Sequence, residues 1–135
     1  MIHIDKQLIR ELYDKAVVNP RLRQNMDLRN SPDDGGQRML NALMPGTVVP
    51  IHRHPHSNES IVLLCGKAEE IFYDGEGRET ERLLMDPSAG SYGCVVPAGC
   101  WHTIVALEPT VIMEAKDGRY GEDGSESFPA KNQGL

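Results

Sequence analysis

Residues 46–66, with the sequence GTVVPIHRHPHSNESIVLLCG, form the stretch on which the interpretation of the whole chain depends. His52 and His54 are two residues apart after an apolar run, so their side chains point to the same face of a β-strand. Imidazole nitrogen is a common ligand of divalent transition metals, and the carboxylate of Glu59 would add an oxygen donor. Glu59 has the opposite parity, so it reaches that face only if the chain reverses across the turn-forming residues 55–58. The pattern predicts a hairpin whose two strands aim these ligands inward.

The spacing within this stretch is similar to the first cupin motif, which has a glycine at each end and two histidines and a glutamate between them. Gly46 and Gly66 stand at its ends, and His52, His54 and Glu59 stand at its ligand positions. The resemblance implies a cupin double-stranded β-helix, which is a small jelly-roll barrel. Short predicted strands at regular spacing, separated by Gly and Pro turns, agree with it. We therefore expect an all-β fold of this kind with an added N-terminal α-helix.

A second stretch, PAGCWHTIVALEP at residues 97–109, resembles the centre of the second cupin motif. His102 holds its histidine position, while Ser91 and Ala106 stand where that motif has glycine and asparagine. Closing the sheet into a barrel would bring this histidine towards the first motif. The expected metal ligands are His52, His54, Glu59 and His102. Three nitrogens and one carboxylate suit one divalent ion of Zn, Fe, Mn or Ni, and leave coordination positions open for substrate or water.

Both stretches together resemble the WbuC-type cupin fold metalloproteins, over roughly residues 20–120. Those proteins are encoded in bacterial gene clusters for surface polysaccharide (O-antigen). The resemblance implies a metal-binding protein that acts on a small oxygenated metabolite, such as a sugar, sugar phosphate or nucleotide sugar, by Lewis-acid isomerisation or epimerisation. Two alternatives stay open, namely a glycan-precursor binding or sensing module without turnover, and an Fe(II) dioxygenase.

Arg21, Arg23 and Asn25 lie in a segment that is either a solvated connector or an arm across the mouth of the barrel. Two arginines spaced by two in an extended segment point the same way, and guanidinium groups bind carboxylate and phosphate as a planar fork. The WbuC-type proteins carry a similar Arg-x-Arg-x-Asn stretch. We expect these three residues to bind an anionic or sugar-like small molecule.

Glu114 and Lys116 share one face of the last predicted strand, residues 110–116. Two charges on one face are typical of a solvent face, but the family resemblance extends over this strand and Tyr120, which implies places in the pocket. In that case Lys116 and Tyr120 bind substrate and Glu114 acts as an acid or base. His56, just beyond the predicted end of the histidine strand, is the second candidate for proton transfer.

The chain is expected to form a single domain over residues 1–135. Apolar residues at helical spacing predict a helix over residues 4–18 that packs outside a sheet or on a partner subunit. The barrel is expected over residues 37–116, and a loose tail rich in Gly, Ser, Glu and Pro over residues 121–135. A hairpin is predicted around residues 74–77, and its solvated face is expected to carry Glu69, Glu70, Glu79 and Glu81.

The composition limits which kinds of binding partner and which cellular location are expected. The net charge of −6 argues against nucleic acid, which selects basic surfaces. No apolar run approaches the roughly 20 residues of a membrane-spanning helix, and no signal pattern is present. Three cysteines without a CxxC pair predict reduced thiols and a cytoplasmic location. Analogy with other cupins adds a homodimer to these expectations.

Overall fold

The computed structural model describes residues 1–129, which contain one α-helix, one short 3-10 turn and ten strands. Helix α1 is Lys6–Val18 and the 3-10 turn is Pro87–Ala89. The strands are Arg23–Asp27 (β1), Gly36–Leu43 (β2), His52–Arg53 (β3), Glu59–Cys65 (β4), Ala68–Tyr73 (β5), Glu79–Met85 (β6), Gly93–Val96 (β7), Trp101–Ala106 (β8), Thr110–Asp117 (β9) and Glu126–Ser127 (β10). Within the same residues they form two five-stranded sheets. Sheet A has the order β1-β2-β9-β4-β7, and sheet B has the order β10-β3-β8-β5-β6.

All strand pairs within the two sheets are antiparallel, and a core of apolar side chains fills the space between the sheets. Leu43, Ile61 and Ile112 come from sheet A, and Met85 and Ile104 from sheet B. Each of these strands alternates inward and outward side chains, which places every second residue in this core. The all-β class and the two-sheet jelly roll expected from the sequence are confirmed.

Helix α1 covers the outer face of sheet A. Asp5 caps it, because its side chain accepts a hydrogen bond of 2.9 Å from the backbone N–H of Leu8. Leu12 and Ala16 are buried against Leu40 and neighbouring residues of the sheet. The helix therefore packs outside a sheet, as predicted. No helix within residues 1–129 is long and apolar enough to cross a membrane.

Strands β3 and β4 do not form the hairpin that the sequence predicts. Strand β3 pairs with β8 and β10 in sheet B, whereas β4 pairs with β7 and β9 in sheet A. The turn between them crosses from one sheet to the other, so each strand has its backbone hydrogen bonds with strands distant in sequence. The predicted inward direction of the ligands survives, because the two sheets face each other.

The segment after Gly121 is not a loose tail where the structure describes it. Strand β10 pairs with β3, and the backbone N–H of Phe128 donates to the carbonyl of Ile51 at 2.8 Å. The ring of Phe128 is buried and packs edge-on against Trp101. An aromatic side chain with a hydrophobic partner thus holds a segment whose composition indicates disorder. Residues 130–135 of the predicted tail lie outside the described residues.

The hairpin of β5 and β6 is present as predicted, but one of its four glutamates is not on a solvated face. Glu79 and Glu81 are exposed, whereas Glu70 has no accessible surface. Glu70 lies between Ala68 and Phe72 on the face of β5 that turns towards sheet A. This face borders the predicted ligands, so the buried carboxyl group lies beside the candidate site.

Candidate metal centre

The four predicted metal ligands come together between the sheets. Their ligand atoms all lie within 4.8 Å of one another. His52 and His102 are directly opposite each other on β3 and β8. His54 follows β3, and Glu59 begins β4 in the facing sheet. The turn at residues 97–99 joins the two motifs, because the N–H of Gly99 donates to the carbonyl of His54 at 2.9 Å.

Each of the three imidazole rings is oriented through its Nδ1 atom. His52 and His102 use Nδ1 to hydrogen-bond a backbone carbonyl two residues earlier, at 2.8 and 2.9 Å. Nδ1 of His54 lies 2.7 Å from the hydroxyl of Ser125. A neutral ring that donates from Nδ1 keeps its Nε2 lone pair free, and such orientation is usual for metal-binding histidine. All three rings can therefore present Nε2 to a common point.

Protonation favours ligation at neutral pH. Burial, together with the nearby His102, lowers the pKa of His52 to about 4, so its ring is neutral. Burial opposes the charged form of Glu59, but the His102 and His54 rings and the Lys116 ammonium outweigh it and lower the pKa of Glu59. The group thus combines neutral imidazole with an ionised carboxylate, which are the forms that bind a divalent cation.

The arrangement fits a bound metal ion. Nε2 of His54 is buried and has no hydrogen-bond partner among residues 1–129, and it lies 3.4 Å from Oε2 of Glu59. A buried polar atom without a partner is unfavourable, and coordination to a metal would satisfy it. Three imidazoles and one carboxylate are a donor set suited to Zn, Fe, Mn or Ni. This group could therefore hold one divalent ion.

A cavity of about 290 Å³ opens beside the histidines. His52, Glu59 and His102 line it. The predicted substrate and acid–base residues that also line it are Arg21, Arg23, Asn25, Glu114, Lys116 and Tyr120. The structure thus collects, around one space, residues that are up to about a hundred positions apart in the chain. Their roles remain predictions.

The arginine segment is a turn followed by an edge strand. Arg21 is an exposed turn residue and Leu22 has φ of +56°, so Arg21 and Arg23 do not share the extended segment that the sequence predicts, whereas Arg23 begins β1. Strand β1 pairs with β2, with Arg23 opposite Leu43 and Asn25 opposite Asn41, so both residues share the inward face of sheet A. Burial lowers the pKa of Arg23, and the charge of Arg21 adds to this effect. Both guanidinium groups border the cavity, and the charge of Arg21 is close enough to act on Arg23.

Glu114 and Lys116 face the interior, so the solvent-face interpretation is wrong. Nζ of Lys116 lies 3.3 Å from Oε2 of Glu59, and the Lys116 side chain is 10% exposed. Burial and the charge of Glu59 raise the pKa of Glu114 to about 7. The reason is register: Lys116 is opposite Glu59, and Glu114 is opposite Ile61, on the face that forms the core.

His56 is not part of this constellation. It lies in the turn after β3, is exposed, and does not line the cavity. Its ring is adjacent to Gly124, where a Cβ atom would approach the imidazole Cδ2 to 3.1 Å. Its predicted role in proton transfer stays a prediction, and within residues 1–129 it lies outside the cavity that the other predicted substrate and acid–base residues line.

Glu70 lines the cavity although sequence reasoning assigned it to solvent. Its Oε1 lies 4.0 Å from Nε2 of His102, and neither carboxyl oxygen has a hydrogen-bond partner within residues 1–129. Burial, with smaller contributions from the charges of Glu59 and Glu114, raises its pKa to about 9. A neutral carboxyl group therefore stands beside the predicted ligands.

Comparison with known proteins supports the fold. A family model described as "Domain of unknown function (DUF6016)" matches residues 4–85. No curated protein matches the chain. A cupin 2 domain-containing protein from Halorhodospira halophila is 16% identical, with a TM-score of 0.63, over 82% of this chain and 72% of that one.

Two enzyme structures are also similar. An oxalate oxidase in complex with the substrate analogue glycolate is 14% identical, with a TM-score of 0.63, over 83% of this chain. The chain spans 58% of the length of that oxidase. A Bacillus subtilis oxalate decarboxylase with Mn(II) centres is 19% identical, with a TM-score of 0.59, over 78% of this chain and 27% of that one. The expected cupin fold is confirmed by these neighbours.

Proposed function

The chain belongs to the DUF6016 family, and we propose that it is a metal-dependent cupin enzyme acting on a small, anionic, oxygenated metabolite. The observation that carries this proposal is the shared cavity. Three of the four possible metal ligands, His52, Glu59 and His102, line it together with Arg21 and Arg23. A substrate that spans the cavity would meet cationic donors at one end and a metal at the other. Bound there, a divalent ion would act as a Lewis acid on a substrate oxygen.

The residues around the cavity suggest how substrate is held. Arg23 would bind a carboxylate or phosphate, because a guanidinium group makes charge-assisted hydrogen bonds with such groups. Asn25 and Tyr120 would add polar contacts to the body of the substrate. Lys116 remains beside Glu59 and limits the negative charge next to the ligands. Glu114 is the candidate for moving a proton to or from substrate, since it lines the cavity and His56 does not.

We further propose a sugar phosphate or nucleotide sugar as the substrate, with isomerisation or epimerisation as the reaction. Support comes from the resemblance of both histidine motifs to the WbuC-type cupins of surface-polysaccharide clusters. Mn²⁺ is the first metal to test, because the oxalate decarboxylase neighbour has Mn(II) centres. A cytoplasmic homodimer completes the proposal, and light scattering on the purified protein tests the oligomeric state.

The test is a turnover assay on protein loaded with Mn²⁺. Sugar phosphates and nucleotide sugars are incubated with it and followed by NMR for isomerised or epimerised product. We expect product with the wild type and none with His52→Ala. Arg23→Ala should weaken substrate binding by about 10- to 100-fold, which corresponds to losing a charge-assisted hydrogen bond. Arg82→Ala is the matched control, because Arg82 pairs with Glu79 on the surface of β6.

The outcomes separate the alternatives. Substrate binding that depends on Arg23, without any chemical change, would contradict the enzyme and support a binding or sensing module. Oxygen consumption with Fe²⁺-loaded protein would support a dioxygenase instead. If no anion of this class binds the metal-loaded wild type, the proposed substrate class is wrong.

A further inference from the structure

His54 differs from the other two histidines in what orients it. His52 and His102 bond to backbone carbonyls only two residues away, so their own strands hold them. Nδ1 of His54 instead bonds to Ser125, which is 71 positions further along the chain. The orientation of one predicted ligand therefore depends on a segment outside both histidine motifs.

We infer that the C-terminal segment, residues 123–128, positions His54 for metal binding through a hydrogen-bond relay from Asp123 by way of Ser125. Oδ1 of Asp123 accepts a hydrogen bond of 3.1 Å from the backbone N–H of Ser125, which places the carboxylate close to the Ser125 side chain. When Nε2 of His54 binds a metal, Nδ1 keeps its proton and donates a hydrogen bond to the Ser125 hydroxyl. The hydroxyl then donates to the carboxylate of Asp123. A carboxylate that orients a metal-binding histidine, here through a hydroxyl, fixes its tautomer and strengthens it as a ligand.

Asp123, the first residue of the relay, is held in place by Gln37. Nε2 of Gln37 donates to Asp123 at 2.8 Å and to the carbonyl of Gly118 at 3.2 Å. Gln37 is itself buried on β2 of sheet A. The relay therefore connects sheet A to a histidine that follows a strand of sheet B.

The rest of the segment is anchored to the histidine strand itself. Glu126 accepts two hydrogen bonds from the guanidinium of Arg53, at 2.8 and 3.0 Å. Ser127 pairs with His52 in the β10–β3 ladder, and Phe128 is buried against Trp101. These contacts hold Ser125 beside the ring of His54. They also explain why this segment is ordered despite its composition.

The inference rests on the proposed metal site, and the experiment tests the two separately. Co²⁺ is titrated into metal-free wild type, Ser125→Ala, Ser125→Thr and Ser127→Ala, with the visible absorption spectrum and the dissociation constant as readouts. We expect Ser125→Ala to bind about 10- to 100-fold more weakly and to shift the Co²⁺ spectrum, because His54 loses its orienting partner. Ser125→Thr keeps the hydroxyl and should restore both readouts. Ser127→Ala, an exposed serine on the same segment, should match the wild type.

Asp123→Asn is a second variant that leaves the hydroxyl in place and weakens the next link. We expect a smaller loss of affinity than in Ser125→Ala, with the same direction of spectral shift. Unchanged affinity and spectrum in Ser125→Ala, while the wild type binds Co²⁺, would overturn the relay and leave the metal site intact. Equal losses in Ser125→Ala and Ser127→Ala would also overturn it, since the effect would then be structural. A wild type that binds no Co²⁺ would overturn the proposed metal site together with the relay.

Discussion

Glu59 and Glu70 are both buried carboxyl groups beside the same imidazole, yet their surroundings are opposite. Their Oε1 atoms lie 3.2 and 4.0 Å from Nε2 of His102. Lys116 and two histidines surround Glu59, and together they lower its pKa against the effect of burial. Glu70 has no hydrogen-bond partner among residues 1–129, and burial raises its pKa to about 9.

The comparison shows that burial alone does not decide the charge of a carboxyl group in this cavity. Both groups lose hydration, which favours the neutral form. Only Glu59 recovers the loss through cations and donors, so only Glu59 is an anion ready to bind a metal. Glu70 lines the cavity beside it as a neutral carboxyl group. The two therefore offer a matched pair of substitutions at one site.

The largest expected difference is in metal affinity. Glu59→Gln replaces an anionic ligand with a weakly binding amide and should weaken Mn²⁺ binding by at least about 100-fold. Glu70→Gln should leave affinity nearly unchanged, because the native group is already neutral. Titration with Mn²⁺, followed by electron paramagnetic resonance of the free ion, measures both. If Glu70→Gln abolished binding while Glu59→Gln did not, the assignment of the two groups would be reversed.

The next effect is on the pH dependence of stability in the metal-free protein. The pKa of Glu70 rises from an ordinary 4.5 to about 9 on folding. Between these values the unfolded chain has lost the proton and the folded chain keeps it, so stability falls as pH rises. Glu70→Gln removes this dependence. The free energy of unfolding of the variant, relative to that of the wild type, should therefore increase with pH by up to about 1.4 kcal/mol per pH unit.

Urea denaturation from about pH 5 to about pH 8 measures this slope, always in the presence of a chelator. Glu81→Gln is the control, because Glu81 is an exposed glutamate on the same hairpin. A wild type and a Glu70→Gln variant with parallel stability curves would show that Glu70 is ionised in the folded protein. The contrast with Glu59 would then fail.

A smaller effect is expected from removing Lys116, the cation beside Glu59. Lys116→Met removes a cation 3.3 Å from Oε2 of Glu59. The free energy of unfolding of the metal-free protein should fall by about 1.5–3 kcal/mol, because a hydrogen bond to a buried charge is lost. Metal binding should become a fewfold tighter, since a repelling charge has gone. Lys67→Met, at a half-exposed surface lysine, is the control. Weaker metal binding in Lys116→Met alone would contradict this account.

The first-motif residues could be predicted because their positions follow from local rules. Alternation along a strand puts His52 and His54 on one face, and the motif glycine Gly66 has φ of +95° with its backbone against Pro109 and Thr110. His102 needed the resemblance to a known motif, since sequence separation alone does not show which strands pair.

The remaining features depend on which face of a strand meets the other sheet. On β5 both faces carry a glutamate among apolar residues, so the pattern does not distinguish Glu69 from Glu70. The inward turn of Glu114 likewise follows from the pairing of β9 with β4. Ser125 lies in a segment whose composition indicates disorder, and its order comes from contacts with Arg53 and Trp101. Such tertiary contacts leave no periodic signal in the sequence.

The most direct test of the central claim is the metal content of the protein purified without an affinity tag. Mass spectrometry is applied to the wild type, His52→Ala and His102→Ala, with His3→Ala as the control because His3 is exposed near the N-terminus. The account predicts about one equivalent of a divalent metal in the wild type and the control, and its loss in the two motif variants. A wild type that remains metal-free after incubation with Mn²⁺, Fe²⁺, Ni²⁺ and Zn²⁺ would contradict it.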